Sequence, residues 1–299
     1  MTLNKLKKKR FYIYPYLFIA PTIILICIFS YYAMFNGIYI SFTDYRLAYS
    51  GREFVGLENY KVLLSPAGKV FWVSFKNQVV ITIFHVCNSV FWPLLTAELL
   101  FFVRHKKVAN VIKSMFVVPM LVPGIVTTLI WRFMYNNDFG FNSILETLGL
   151  EALQRNWLND EKTALFAVIF MGFPYVSGLY FLIFHSAVNN VGQELYEAAV
   201  IDGATNWQVA WKVHIPNVMG YVTVISTLSL IGSLSGFGAI AATTGGGPGN
   251  ATMIPAMYIF NIAFQDGRFG YASAMGTVMM VIIMTLTLLQ RKLTARKGD

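Results

Sequence analysis

The four histidines of this chain, His85, His105, His185 and His214, are scattered, and none stands beside a second His, a Cys or a carboxylate at metal-ligand spacing. There is no GxxxxGK[ST] loop to cradle a phosphate, so the sequence offers no motif for binding a nucleotide. Glu98 is the one acid set clearly inside a long apolar run. It can mark an ion path, or it can be a structural pair or snorkelling side chain within reach of Lys106 or Lys107. What remains is neutral hydrogen-bonding chemistry. Ser226, Ser229 and Ser233 recur at spacings of three and four, with Gly232, Gly236 and Phe237 nearby, which places the serines on one helical face. Such a face either lets helices pack closely or lines a path for an uncharged solute held by hydroxyls and aromatic surfaces. Tyr175 and Tyr180 can supply the aromatic part, or simply pack.

Two further segments must be placed by local structure. The stretch Glu197-Ala198-Ala199-Val200-Ile201-Asp202-Gly203-Ala204-Thr205-Asn206-Trp207 is polar and lies between two apolar runs. Gln193 to Asp202 has helix-forming composition, and Gly203 stands where a C-terminal glycine can take the left-handed conformation. Thr205 with Gln208 has capping-box spacing, and Pro216 is expected to close the second helix. The prediction over 190–216 is helix, tight turn, helix: a docking surface. Thr244-Gly245-Gly246-Gly247-Pro248-Gly249 cannot be helical and reads as a flexible turn just outside an apolar run.

The elements that carry these residues are membrane spans. Composition is 56% hydrophobic and 12% charged, far from the balance of soluble domains. Six apolar runs, near 14–38, 79–102, 114–135, 163–184, 217–240 and 271–290, are long enough to cross a bilayer, and in lipid they must be helices. The expectation is an all-α, multi-pass membrane protein, one transmembrane domain over 1–299, with no low-complexity tract or internal repeat. Pro93, Pro119, Pro123 and Pro174 inside the spans predict kinks. Tyr60, Leu63 and Leu64 suggest a short helix lying on the membrane face.

Of the 23 Lys and Arg, 14 fall on one side: Lys5 to Arg10, Arg104 to Lys113, Lys212, and Arg291 to Lys297. The other nine share their segments with nine acids. The positive-inside rule therefore puts both termini and the Glu197 loop in the cytoplasm. The formal net charge of +9 is a topology signal and not a nucleic-acid footprint. The first run is too long, and too poor in small residues at its end, for a cleaved leader. Cys27 and Cys87 lie in different spans, with buried thiols as the expectation.

The Glu197 loop resembles the EAA loop of ABC-importer permeases, with Glu197, Ala198, Ala199, Asp202, Gly203 and Pro216 at that motif's positions. Phe54-Val55-Gly56-Leu57-Glu58-Asn59-Tyr60, the Pro119 and Pro123 pair followed by Trp131, and Thr244 to Pro248 resemble the carbohydrate-type permeases in the same order. Where that family usually carries a proline before the EAA, this chain has Val191-Gly192. The resemblance implies a six-helix type I permease bundle in a prokaryotic cell membrane. It also implies a second homologous permease, a cytoplasmic ATPase dimer that binds ATP and Mg in its own sites, an extracellular solute-binding protein, and a sugar or oligosaccharide as cargo. Tyr175, Tyr180, Ser229, Ser233 and Phe237 would then line the sugar path, and Thr244 to Pro248 would face the binding protein. An ion-coupled secondary transporter or channel is the competing class.

Overall fold

The computed structural model describes residues 14–47 and 52–295. The N-terminal basic run, Lys5 to Arg10, lies outside them with Arg296, Lys297 and Ser50. Apart from an isolated bridge between Thr43 and Phe54, helices are the regular structure of the described residues. In chain order they are α1 (Tyr16–Ile40), α2 (Glu58–Leu64), α3 (Lys69–Phe101), α4 (Lys106–Val117), α5 (Gly124–Met134), α6 (Gly140–Thr147) and α7 (Ala164–Phe170). There follow α8 (Gly178–Asn189), α9 (Gln193–Ile201), α10 (Asn206–Ser235), α11 (Gly238–Thr243), α12 (Pro255–Phe260) and α13 (Phe269–Ala295).

Four of these are continuous and apolar enough to cross a bilayer: α1, α3 with its leading turn, α10 and α13. The runs near 114–135 and 163–184, single spans by their apolarity, are both broken. The first is bent by 92° between Leu121 and Gly124, because Pro123 sits at φ −56, ψ 134 and cannot continue the helix. It counts as a fifth span only if the bent pair is taken as one. The second breaks into α7 and α8 across Met171–Ser177, where Gly172 has φ +95 and Tyr175 φ +60. Pro93, by contrast, lies inside the unbroken α3.

The described residues gather into two compact units. In the first, up to Gly68 together with Ile259–Val278, Asn59 is the latch. Its buried amide donates to the carbonyls of Ser41 and Thr43, both at 2.9 Å, and the Tyr60 hydroxyl meets Ser41 Oγ at 2.6 Å. Gly270 lies so close to this strand-like stretch that a Cβ would come within 2.0 Å of the Thr43 carbonyl. The Phe54–Tyr60 motif is thus a clasp for the chain leaving α1, and α2 forms as expected.

The second unit, Lys69–Tyr258 and the chain beyond Met279, is built around α3. Ala97 and Leu100 of α3, Phe181 and Phe184 of α8, and Ile225 of α10 are buried together. Between helices in lipid such packing stabilises through dispersion and close fit, since lipid tails are as apolar as the side chains. Cys27 and Cys87 are exposed and not buried: Cys27 lies where α1 is exposed all round from Pro21 to Phe35, and Cys87 on an exposed position of α3. In the 135–163 segment, buried Asn142 accepts from Trp157 Nε1 at 2.8 Å and donates to the Arg155 carbonyl at 3.0 Å, closing the loop on itself.

Candidate functional site: docking loop and cavity

The docking loop is made by local chemistry. Helix α9 ends at Asp202, and Gly203 follows at φ +76. The Gly203 N–H donates to Val200 at 3.0 Å and the Ala204 N–H to Ala199 at 2.9 Å, the paired bonds of a Schellman turn that satisfy carbonyls at the helix end. Thr205 then opens α10 with both halves of a capping box: its hydroxyl accepts the Gln208 N–H at 3.3 Å, and its own N–H donates to Gln208 Oε1 at 2.8 Å. Glu197, Ala198, Asp202 and Gly203 are exposed, and Ala199 is half-buried. Ile201, at the turn, is 85% exposed.

Pro216 does not close the second helix. A π turn over Ala210–His214 ends two residues before it, and the helix runs on from Asn206 to Ser235. A π turn shifts the bonding register by one residue, which accommodates a proline lacking the N–H and clashing with the carbonyl four back. Docking helix and span are therefore one rod.

That rod ends at a cavity of about 710 Å³. Tyr175 and Tyr180 line it from the break before α8 and the start of α8; Ser233, Gly236 and Phe237 line it from the end of α10. Ser229 is not among its walls: it is buried one turn away, with its hydroxyl lacking a hydrogen-bond partner. Ser233 Oγ meets Thr82 Oγ1 at 3.0 Å, and its carbonyl accepts Gln78 Nε2 at 3.0 Å. Tyr175, at φ +60, donates its hydroxyl to the Ile169 carbonyl at 2.9 Å. A non-glycine residue in that region is strained and persists only where its surroundings hold it. Here the phenol bond and the Phe170 and Phe173 rings do so.

Sequence reasoning missed the wall supplied by α3, which contributes His85, Asn88 and Ser89, and by α5, which contributes Thr127, Thr128 and Trp131. A signal existed. Gln78, Thr82, His85 and Ser89 recur at spacings of four, three and four, a polar stripe along one face of an otherwise apolar helix. No Lys, Arg, Asp or Glu stands among the lining residues.

The Gly-rich segment is pinned where a flexible turn was expected. The Thr252 hydroxyl is buried and reaches both Thr244 Oγ1 at 2.6 Å and the Gly247 carbonyl at 2.7 Å. Asn77 of α3 donates to the carbonyls of Asn250 at 3.1 Å and Met253 at 2.9 Å. Gly245 and Gly246 take φ +61 and +99, so the glycines serve a defined shape. Glu98 is likewise not paired with Lys106 or Lys107. Its Oε2 lies 2.8 Å from His214 Nδ1, both side chains buried, and it takes no part in the cavity wall.

Comparison with known proteins is consistent across sequence and structure. Residues 89–298 match the family described as binding-protein-dependent transport system inner membrane component. A probable ABC transporter permease protein of Bacillus subtilis is 31% identical, over 94% of this chain and 95% of its own length. The multiple sugar-binding transport system permease protein of Streptococcus mutans is 28% identical over 99% of both chains. A crystal structure of a bacterial alginate ABC transporter in complex with alginate pentasaccharide-bound periplasmic protein contains a chain that superposes with a TM-score of 0.84. That chain is 20% identical, with 100% of this chain and 99% of that one covered. The chain belongs to the family of binding-protein-dependent transport system inner membrane components, and its fold is that of an ABC-importer permease.

Proposed function

We propose that this chain is one permease subunit of an ABC importer that carries an uncharged sugar or oligosaccharide, with a second homologous permease completing the pathway. A cytoplasmic ATPase dimer holds ATP and Mg, and an extracellular binding protein delivers the cargo. The termini and the Glu197–Pro216 loop lie in the cytoplasm, as the distribution of Lys and Arg implies.

The observation that carries this reading is the course of α10. It begins at the exposed, doubly capped turn and ends at Ser233 in the cavity wall, with no break between. Thirty residues of helix span about 45 Å, enough to join a cytoplasmic docking surface to the interior of a bilayer. Closure of the ATPases on the Glu197 turn then displaces a rod whose far end forms part of the cargo site, which is how alternating access is driven. A lining of hydroxyls, amides, aromatic rings and one imidazole, His85, without Lys, Arg, Asp or Glu supports a saccharide held by neutral hydrogen bonds, and the printed name of the Streptococcus relative supports a sugar as cargo.

The test is reconstitution of the four-part complex in liposomes. Loaded binding protein is expected to stimulate ATP hydrolysis and drive uptake against a gradient. Uptake that follows an imposed proton or sodium gradient without ATP would instead establish the ion-coupled class.

A further inference from the structure

We infer that Glu98 and His214 are positioning residues that lock α3 to α10 at the docking end, so that the two helices carry the motion of the Glu197 turn to the cavity as one body. The inference rests on the importer reading above and adds to it the route by which coupling travels.

The pair is placed at a junction. Glu98 sits one turn before the end of α3, and His214 is the last residue of the π turn that links the docking segment to the membrane-spanning part of α10. His214 Nδ1 and Glu98 Oε2 share a hydrogen bond at 2.8 Å. The imidazole is flanked by Phe101, edge-on with centroids 4.6 Å apart, and by Phe102, stacked at 6.1 Å. Phe101 also takes the edge of Tyr196 from α9 at 5.5 Å, so both docking helices bear on the same end of α3. Burying an acid and an imidazole is costly even when paired, and here only Oε2 of Glu98 is bonded while Oε1 is buried without a hydrogen bond, a cost that packing alone does not explain.

The same two helices are joined again at the cavity, where Ser233 meets Thr82 and Gln78 at 3.0 Å. By helix rise the two junctions are separated by about 24 Å along α3 and about 28 Å along α10. Two polar junctions on two parallel courses leave little freedom for one helix to slide or roll against the other. A displacement applied at Gly203 is then delivered to Ser233 and to the α3 stripe together. With the docking-end junction gone, α10 can yield at the π turn, and the push is absorbed there.

The experiment uses the complete complex in a background lacking Cys27 and Cys87, with Ser89→Cys as a reporter in the α3 wall of the cavity. Its reaction rate with a water-soluble maleimide is compared without nucleotide and with a non-hydrolysable ATP analogue. In the parent complex the two states are expected to differ clearly. In Glu98→Leu/His214→Phe, which replaces the pair by apolar groups of similar volume, most of that difference is expected to be lost while ATP hydrolysis persists. Glu98→Gln keeps shape without charge and is expected to shift the ratio in the same sense by less. A full nucleotide-dependent difference in either assembled variant overturns the inference. So does a parallel fall in hydrolysis and in the difference, which is the behaviour of a merely structural pair. A parent complex that never responds to nucleotide removes the coupling reading itself, a separate outcome.

Discussion

The docking turn and the cavity stand at opposite ends of α10 and are built in opposite ways. At the turn, the bonds Gly203 to Val200, Ala204 to Ala199, and Thr205 with Gln208 each close within six residues of chain. In the cavity wall, Ser233 is held by residues far away in sequence, Gln78 and Thr82 of α3. On the proposed function, the docking surface takes the geometry of its turn from its own residues. On the same proposal, the cavity wall is held by contacts between helices, which a change of access can remake.

The sharpest way to break that contrast is to fill the cavity end. Ser233→Phe loses the Thr82 contact, a neutral hydrogen bond worth about 0.5–1.5 kcal/mol, and places a ring where cargo would pass. Uptake of long saccharides is expected to fall to background and of short ones by less, with assembly intact. Equal, mild losses for every ligand would return Ser233 to a packing role. Gly203→Val is the next largest. A Cβ added at Gly203 would meet no atom within 4 Å, so the damage comes only from forcing a β-branched residue to φ +76, a cost of about 1–3 kcal/mol. Binding-protein-stimulated ATP hydrolysis should drop steeply, and Gly203→Asn should recover most of it because asparagine tolerates that conformation. If valine and asparagine behave alike, the turn does not set the docking geometry.

Smaller effects sharpen the local half of the contrast. Thr205→Ala removes one arm of the capping box and is expected to lower stability of the loop by about 1 kcal/mol, seen as faster amide exchange over Asn206–Val209 and not in α3. Gly192 lies at φ −49, ψ 125, close to the backbone a proline enforces, and the family's usual proline belongs near this position. Gly192→Pro should therefore stabilise the assembled complex by about 0.4–1 kcal/mol in thermal unfolding. A loss of stability there would show that the N–H of Gly192 matters.

The same division explains what can be read from the chain. The helix–turn–helix over 190–216 is legible because Gly203, Thr205 and Gln208 encode it within a few residues. The all-α membrane class is legible because length and apolarity are sums along the chain. Pro216 misleads as a stop signal because a π turn, invisible in residue types, carries the helix past it. The 92° bend and the break at Tyr175 turn two apolar runs into pairs of shorter helices; prolines mark the neighbourhood of such breaks but not their angle. Glu98 has lysines close by in sequence, whereas its partner lies 116 residues away, a distance no local pattern reports. The α3 stripe of Gln78, Thr82, His85 and Ser89 is present in the spacing, but hydroxyls and amides inside an apolar helix acquire meaning only once a cavity lies beside them.

We propose that the turn around Gly203 is the surface on which the ATPase acts. It is tested most directly by cross-linking from Ile201→Cys, the most exposed apolar position of that turn, in a background lacking Cys27 and Cys87. The account predicts a bismaleimide adduct with the ATPase subunit, protection from impermeant thiol reagents in intact cells, and arrest of uptake when the link forms. Labelling of Ile201→Cys from outside, or an adduct that leaves uptake unchanged, would contradict it.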